Sequence, residues 1–320
     1  MEETKKSRKE MPSKGKSGQL LNRLKRYKYL YLLMIPGLLW YIAFHLIPLY
    51  GIVIGFQDYT LASGSIFNNK WVGLANFKWL FTAPDFTKVL WNTVYMSLLK
   101  LFFGFFAPII LALMINAVKC KPYKKVVQTI SYLPNFLSWV IVFSVFYVIF
   151  NNYTGVLKQA FTSLGWQYTD PSTNDKTIIG FLVISSIWKG VGYSAIIYLA
   201  SLSGIDPQLY EAAEVDGANR WNKLLHITVP GILPTCAIVL ILNVGGILGG
   251  DFEQIYLFQG SNALIVDKTE NFATYVYKIG LRGFEYSKTT ALGIFQSLFG
   301  AILTIVTNKL AGKMGYEGIW

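Results

Sequence analysis

Long apolar runs without charged residues alternate along this chain with shorter polar stretches. A helix needs about 20 mostly apolar residues to cross about 30 Å of hydrocarbon. Six runs meet that requirement, at 29–56, 90–118, 126–150, 178–202, 232–250 and 290–308. The first follows a basic stretch, as a signal peptide would, but it exceeds the apolar core of a signal peptide and no small-residue cleavage site closes it, so it is expected to remain as an anchor. The pattern predicts an all-α membrane protein with six transmembrane helices.

Composition supports this reading. Of 320 residues, 53% are hydrophobic and 14% charged, against about 45–50% and about 25% in soluble domains. A net charge of +12 raises the question of nucleic acid, but a nucleic-acid domain gathers its basic residues on one polar face. Here they lie between the apolar runs. Outside the spans, eighteen Lys and Arg fall in alternate segments that include both ends, and nine in the others. The positive-inside rule then places both termini in the cytoplasm, in a multi-pass protein of the cytoplasmic membrane. Residues 1–28 carry ten of these cations and are expected to form a disordered basic arm that rests against anionic membrane lipid. Residues 311–320 form a cytoplasmic tail.

Chemistry that would make an enzyme is missing from the sequence. Gly15-Lys16-Ser17 ends like a phosphate-binding loop, but Glu10 stands where that loop requires glycine. His45 and His226 have no partner at metal-ligand spacing. Cys120 and Cys236 are read as free, packing thiols. No nucleophile with a base is visible, which argues against an intramembrane hydrolase.

The segment 203–231 departs from the charge pattern. By parity it is cytoplasmic, yet it carries Asp206, Glu211, Glu214 and Asp216 against Arg220 and Lys223, so its partner is not lipid. Asp206-Pro207 reads as an N-cap followed by proline at the first helical position. Gly217 suits a left-handed helix end. Asn219 caps a second helix whose Trp221, Leu224 and Leu225 share a face, with Pro230 expected at its end. Ala212 and Ala213 permit close approach of another surface. A DNA-reading helix-turn-helix is disfavoured by the flanking spans and the acidity.

At these residues the sequence resembles a known family. Glu211-Ala212-Ala213, Asp216-Gly217-Ala218 and Ile227-Thr228-Val229-Pro230 resemble the EAA loop of binding-protein-dependent ABC importer permeases. The likeness runs from about residue 92 to the C-terminus, in its carbohydrate and polysaccharide branch. Tyr132-Leu133-Pro134, Ser138-Trp139-Val140, Trp188-Lys189-Gly190 and Phe252-Glu253-Gln254-Ile255 are similar to further pieces of that branch. The resemblance implies the type I importer permease fold, with a core over 90–310 and the first span peripheral. It implies that Glu211, Ala212, Ala213, Asp216 and Gly217 engage a dimer of separate ATPase subunits. ATP and Mg²⁺ would be bound there, and no cofactor by this chain. It also implies a second permease, giving a heterodimer, and an extracytoplasmic solute-binding protein that docks on the outer segments and delivers a carbohydrate, most simply an oligosaccharide.

Two lysines fall inside spans, and an intramembrane charge is a functional suspect. Lys189 is read as a structural tie to a carbonyl or to an acid of the partner. Lys100 is placed near the outer end of its span, where it snorkels and has no function. Around Lys189, Trp188, Gly190 and Tyr193 combine an aromatic face with close-approach positions. The carbohydrate branch implies that this span lines the sugar path. Asn243 precedes a glycine-rich break and is expected to face the same cavity. The absence of a strong charge cluster there favours a neutral or weakly charged sugar. The rival is a secondary transporter or channel working alone, which would show inverted repeats and intramembrane acids; neither is evident.

Overall fold

The computed structural model describes residues 26–316, 318 and 319. Most of the basic arm, residues 1–25, lies outside the described residues.

Two units are distinguished, residues 1–53 and 54–320. In the first, helix α1 (Lys28–Tyr41) continues through a π turn at Ile42–Leu46 into a 3₁₀ stretch, Ile47–Phe56, whose last three residues belong to the second unit. Pro48 supplies the reason for the wide turn. Proline has no N–H to give to the preceding turn, and its ring collides with the carbonyl four residues back. Widening that turn relieves both problems without ending the helix. None of the residues of α1 is buried, as expected for an apolar rod whose surroundings are lipid or another subunit.

The second unit opens with a short antiparallel clip, β1 (Gln57–Asp58) against β2 (Lys70–Trp71). Helices follow in the order α2 (Ala75–Thr82), α3 (Phe86–Ala117), α4 (Lys121–Tyr132), α5 (Trp139–Phe150) and α6 (Val156–Ser163). After these come α7 (Ile178–Ser203), α8 (Pro207–Val215), α9 (Arg220–Lys223), α10 (Val229–Gly245), α11 (Phe252–Ser261), α12 (Val266–Thr269), α13 (Phe272–Val276) and α14 (Tyr286–Lys313).

Five of the expected spans are present as long apolar helices, over Lys28–Phe56, Phe86–Ala117, Ile178–Ser203, Arg220–Gly245 and Tyr286–Lys313. The third expected span, 126–150, is not one straight helix. It is a pair, Lys121–Phe136 and Trp139–Phe150, bent by 103°. Pro134 cannot continue the ladder. Ser138 then starts the next helix by accepting a hydrogen bond from the Ile141 amide at 3.3 Å. α5 alone has 12 residues and is about 18 Å long, too short to cross the hydrocarbon by itself. Cys120, just before α4, is exposed and therefore not the packing thiol expected; Cys236 is buried.

The core sits where spans cross. α3 lies along α7 as the most extensive helix pair, with Ala112, Ile115, Tyr198 and Leu202 buried between them and α10. A second cluster joins α2, α3, α13 and α14 through Leu80, Phe86, Phe272 and Leu292. A third packs Met96 and Leu182 against Ile255 and Phe258 of α11. α10 and α14 meet at glycine: a Cβ on Gly300 would stand 2.5 Å from the Gly245 carbonyl oxygen, and one on Gly245 would run into Thr304 Oγ1. Small residues at a crossing let membrane helices approach to backbone contact.

Candidate functional site

The acidic loop is a fixed element. Asp206 Oδ1 accepts the Gln208 amide at 2.9 Å, with Pro207 in the first turn of α8. At the other end Gly217 has φ of +77°. The Ala218 amide donates to the Ala213 carbonyl at 2.8 Å and the Gly217 amide to the Glu214 carbonyl at 3.1 Å. This paired closure is the Schellman arrangement, which needs a left-handed residue that glycine adopts without strain. Asn219 Oδ1 accepts the Asn222 amide at 2.8 Å to start α9. Tyr210 Oη lies 3.0 Å from Thr228 Oγ1 and pins α8 to the foot of α10.

The second loop helix does not stop at Pro230. α9 continues through a π turn at Leu224–Thr228 into α10, so Arg220–Gly245 is one helix. Pro230 stands two residues beyond the wide turn, as Pro48 does in the first span, and for the same reason.

The charges of the loop divide into two sets. Glu214 Oε1 meets Lys223 Nζ at 2.6 Å, which ties α8 to α9. That hydrogen bond and charge, helped by Lys119, hold the Glu214 carboxyl below the usual carboxylate range. A depressed carboxylate contributes above its unfolded pKa and is lost only as pH falls through the folded value, so the tie persists at neutral pH. Glu211 and Asp216 are exposed and make no ion pair among the described residues. Beside them Leu209, Val215, Trp221 and Leu225 are exposed apolar side chains, Val215 at 88% and Trp221 at 71%. Ala212 is exposed and Ala213 half-buried on the same helix. An apolar patch rimmed by two uncommitted carboxylates suits a protein partner. Leu209 and Val215 escaped the sequence reading because no short-range pattern separates an exposed apolar residue from a packed one.

In the membrane region a cavity of about 360 Å³ is lined by Lys100, Ser97, Ser194, Asn243, Asp251 and Asn271, with the glycines that follow α10. α10 ends at Gly245, and Gly250, at φ of +66°, closes the turn before α11. Asn243 therefore faces a cavity. Lys100 also lines it, near the middle of the 32-residue α3, and does not snorkel. Its Nζ donates to Asp251 Oδ2 at 2.6 Å and to Gln254 Oε1 at 2.6 Å. Asp251 lies 151 positions further along the chain, a separation that no local pattern reveals. The cavity wall thus carries one ion pair, Lys100 with Asp251, where the sequence led to the expectation of no strong charge cluster.

The other expected path residues are not gathered in that cavity. Trp188 packs against Phe146 at 5.4 Å between ring centroids and lines a separate groove of about 600 Å³, mostly aromatic and aliphatic. Tyr193 is exposed, with its ring edge-on to Phe136 at 6.5 Å. A Cβ on Gly190 would meet nothing within 4 Å. Lys189 donates to the Asn135 carbonyl at 2.9 Å, in the bend between α4 and α5, and lies over the Trp139 ring at 5.6 Å. It is the expected tie to a carbonyl.

The sequence profile of the binding-protein-dependent transport system inner membrane component matches residues 104–316. The chain belongs to this family. It is the permease subunit of an ABC importer, a multi-pass inner-membrane protein, and ATP hydrolysis belongs to a separate subunit. Among relatives of this permease, the polygalacturonan/rhamnogalacturonan transport system permease protein YteP of Bacillus subtilis is 41% identical over 96% of this chain and 95% of its own length. Protein LplB of the same organism is 40% identical over 96% and 95%. Among solved structures, a bacterial alginate ABC transporter in complex with an alginate pentasaccharide-bound periplasmic protein has a chain that superposes with a TM-score of 0.84 at 35% identity. The match covers 94% of this permease and 100% of that chain.

Proposed function

We propose that this permease carries an oligosaccharide into the cell as one of two membrane subunits. Its loop 203–231 engages an ATPase dimer, and its outer segments receive a sugar-loaded binding protein. The observation that carries this reading is the combination, in one chain, of an exposed acidic and apolar loop surface with a polar cavity in the membrane region. Glu211, Ala212, Ala213, Asp216 and Gly217 form the coupling surface. Asn243 lies on the sugar path, and Trp188, Gly190 and Tyr193 lie on the part of α7 available to a path shared with a second, different permease. The substrate class is supported by relatives named for polygalacturonan, rhamnogalacturonan and arabinooligosaccharides, and by the likeness to the alginate importer. Both termini face the cytoplasm.

The test is receptor-dependent uptake of radiolabelled oligosaccharides by the complete complex in vesicles. Tyr193→Ala is expected to lower sugar uptake several-fold while ATP hydrolysis stimulated by the loaded receptor persists, because an aromatic ring that stacks on a sugar is lost and the loop is untouched. Uptake at the parental rate would leave Tyr193 as a packing residue.

Topology is checked separately. In a Cys120→Ser, Cys236→Ser background, Ser13→Cys and Met314→Cys are expected to resist an impermeant maleimide in intact cells and to react after permeabilisation. Labelling from outside at either position would reverse the assignment.

A further inference from the structure

A lysine in the middle of a span costs roughly 2.5–3.5 kcal/mol on insertion scales unless it has partners or a watery cavity. Lys100 has both, and its two partners differ in kind. Gln254 is fully buried, at 0% exposure. Its Nε2 donates to the Leu182 carbonyl at 2.8 Å and to Ser185 Oγ at 2.9 Å. The amide is therefore locked, and its Oε1 is held against the ammonium as a fixed acceptor. Asp251 is 47% exposed, against 16% for Lys100, and stands just after the glycine turn on the cavity wall. An ammonium has three donors, and two are used here. The third has no acceptor among the described residues, and Lys100 lines the cavity. Ser97, Ser194 and Asn243 on the same wall offer donors and acceptors suited to hydroxyl groups. The volume falls within the range of about 300–1,000 Å³ usual for small-ligand sites.

We infer that Lys100 is the carboxylate-reading position of this permease. Its cargo is an acidic oligosaccharide, and a uronate carboxylate binds the Lys100 ammonium in place of Asp251. Gln254 positions the ammonium, and Asp251 is the counter-ion that keeps the site neutral when empty. The inference rests on the oligosaccharide reading above and narrows it to a charge class. Loading exchanges one carboxylate for another, so a bound sugar leaves as readily as Asp251 returns, which a transport site requires.

The experiment uses the complete complex in vesicles with two probes, trigalacturonate and the neutral arabinotriose. Lys100→Gln is expected to lower trigalacturonate uptake by about tenfold or more, the scale of losing one partner of a desolvated charge pair. Asp251→Asn removes the competitor and is expected to shift half-maximal trigalacturonate uptake to a severalfold lower concentration. Effects of opposite sign distinguish a binding cation from a structural clamp. If both variants lose uptake together, the ion pair is a clamp and the inference falls. The Asp251→Asn result is decisive even if Lys100→Gln does not assemble. Wild-type uptake of arabinotriose but not of trigalacturonate overturns the acidic class and leaves the oligosaccharide reading standing. Uptake of neither probe counts against both.

Discussion

Glu211→Lys is expected to reduce sugar uptake to background, with the permease inserted and produced at the parental level. Glu211 is exposed and makes no ion pair among the described residues, and substitutions at such surface positions ordinarily change stability by no more than about 0.5 kcal/mol. Its neighbourhood suggests an interface. α8 is capped at both ends by Asp206 and Gly217, pinned through Tyr210, and bordered by the exposed Leu209 and Val215. With a basic group of the ATPase facing it in the proposed complex, reversing the charge sets like charges against each other across that contact, at a cost of several kcal/mol. The readouts are uptake, copurification of the ATPase subunit and receptor-stimulated ATP hydrolysis. Glu214→Gln is the internal comparison, because it removes only the tie to Lys223. If Glu211→Lys left both hydrolysis and uptake intact, the loop would not be the coupling element.

Gly192→Ala is expected to destabilise the bundle, and Gly190→Ala, two positions earlier on the same helix, is not. A Cβ on Gly192 would run into the backbone carbonyl of Ser131 in α4. Backbone atoms cannot rotate aside, so α4 and α7 must separate. Overpacking of this kind costs about 1–3 kcal/mol and sometimes more, which lowers the thermal midpoint of the purified complex by several degrees. At Gly190 an added methyl meets open space, and alanine is the better helix former by about 0.5–1 kcal/mol. Its midpoint is expected to hold or rise. Equal losses would mean that the close contact between α4 and α7 is absent. A Gly190→Ala protein of full stability but reduced uptake would place Gly190 on the sugar path.

The parts of this structure legible in the sequence are those that depend on near neighbours. Apolar runs located the spans because lipid imposes one requirement along some 20 consecutive residues. The caps of the loop were legible because Asp206, Pro207, Gly217 and Asn219 act within a few positions of themselves. Proline was harder to read. Pro134 breaks a span that the apolar run alone carries through it, and Pro230 reads as a terminus although a π turn absorbs it. The same residue type gives either outcome, depending on whether the neighbouring turn widens. Lys100 is illegible for a different reason: its meaning lies in Asp251 and Gln254, which only the packing of α11 against α3 and α7 brings to it. The aromatic candidates on α7 were chosen by residue type and spacing, and burial divides them among different surroundings.

The π turn at Leu224–Thr228 has a mechanical consequence. Had Pro230 ended the second loop helix, the loop and the fifth span would meet at a flexible joint, and a push on one would dissipate before reaching the other. Instead the 26 residues of Arg220–Gly245 run as one continuous helix, about 39 Å long at 1.5 Å per residue. A rod of that length works as a lever. A tilt of about 10° at the loop end sweeps the far end through roughly 7 Å. That far end carries Asn243 and the glycines that wall the cavity, so a small tilt set by the loop becomes a displacement on the scale of a sugar ring at the cavity.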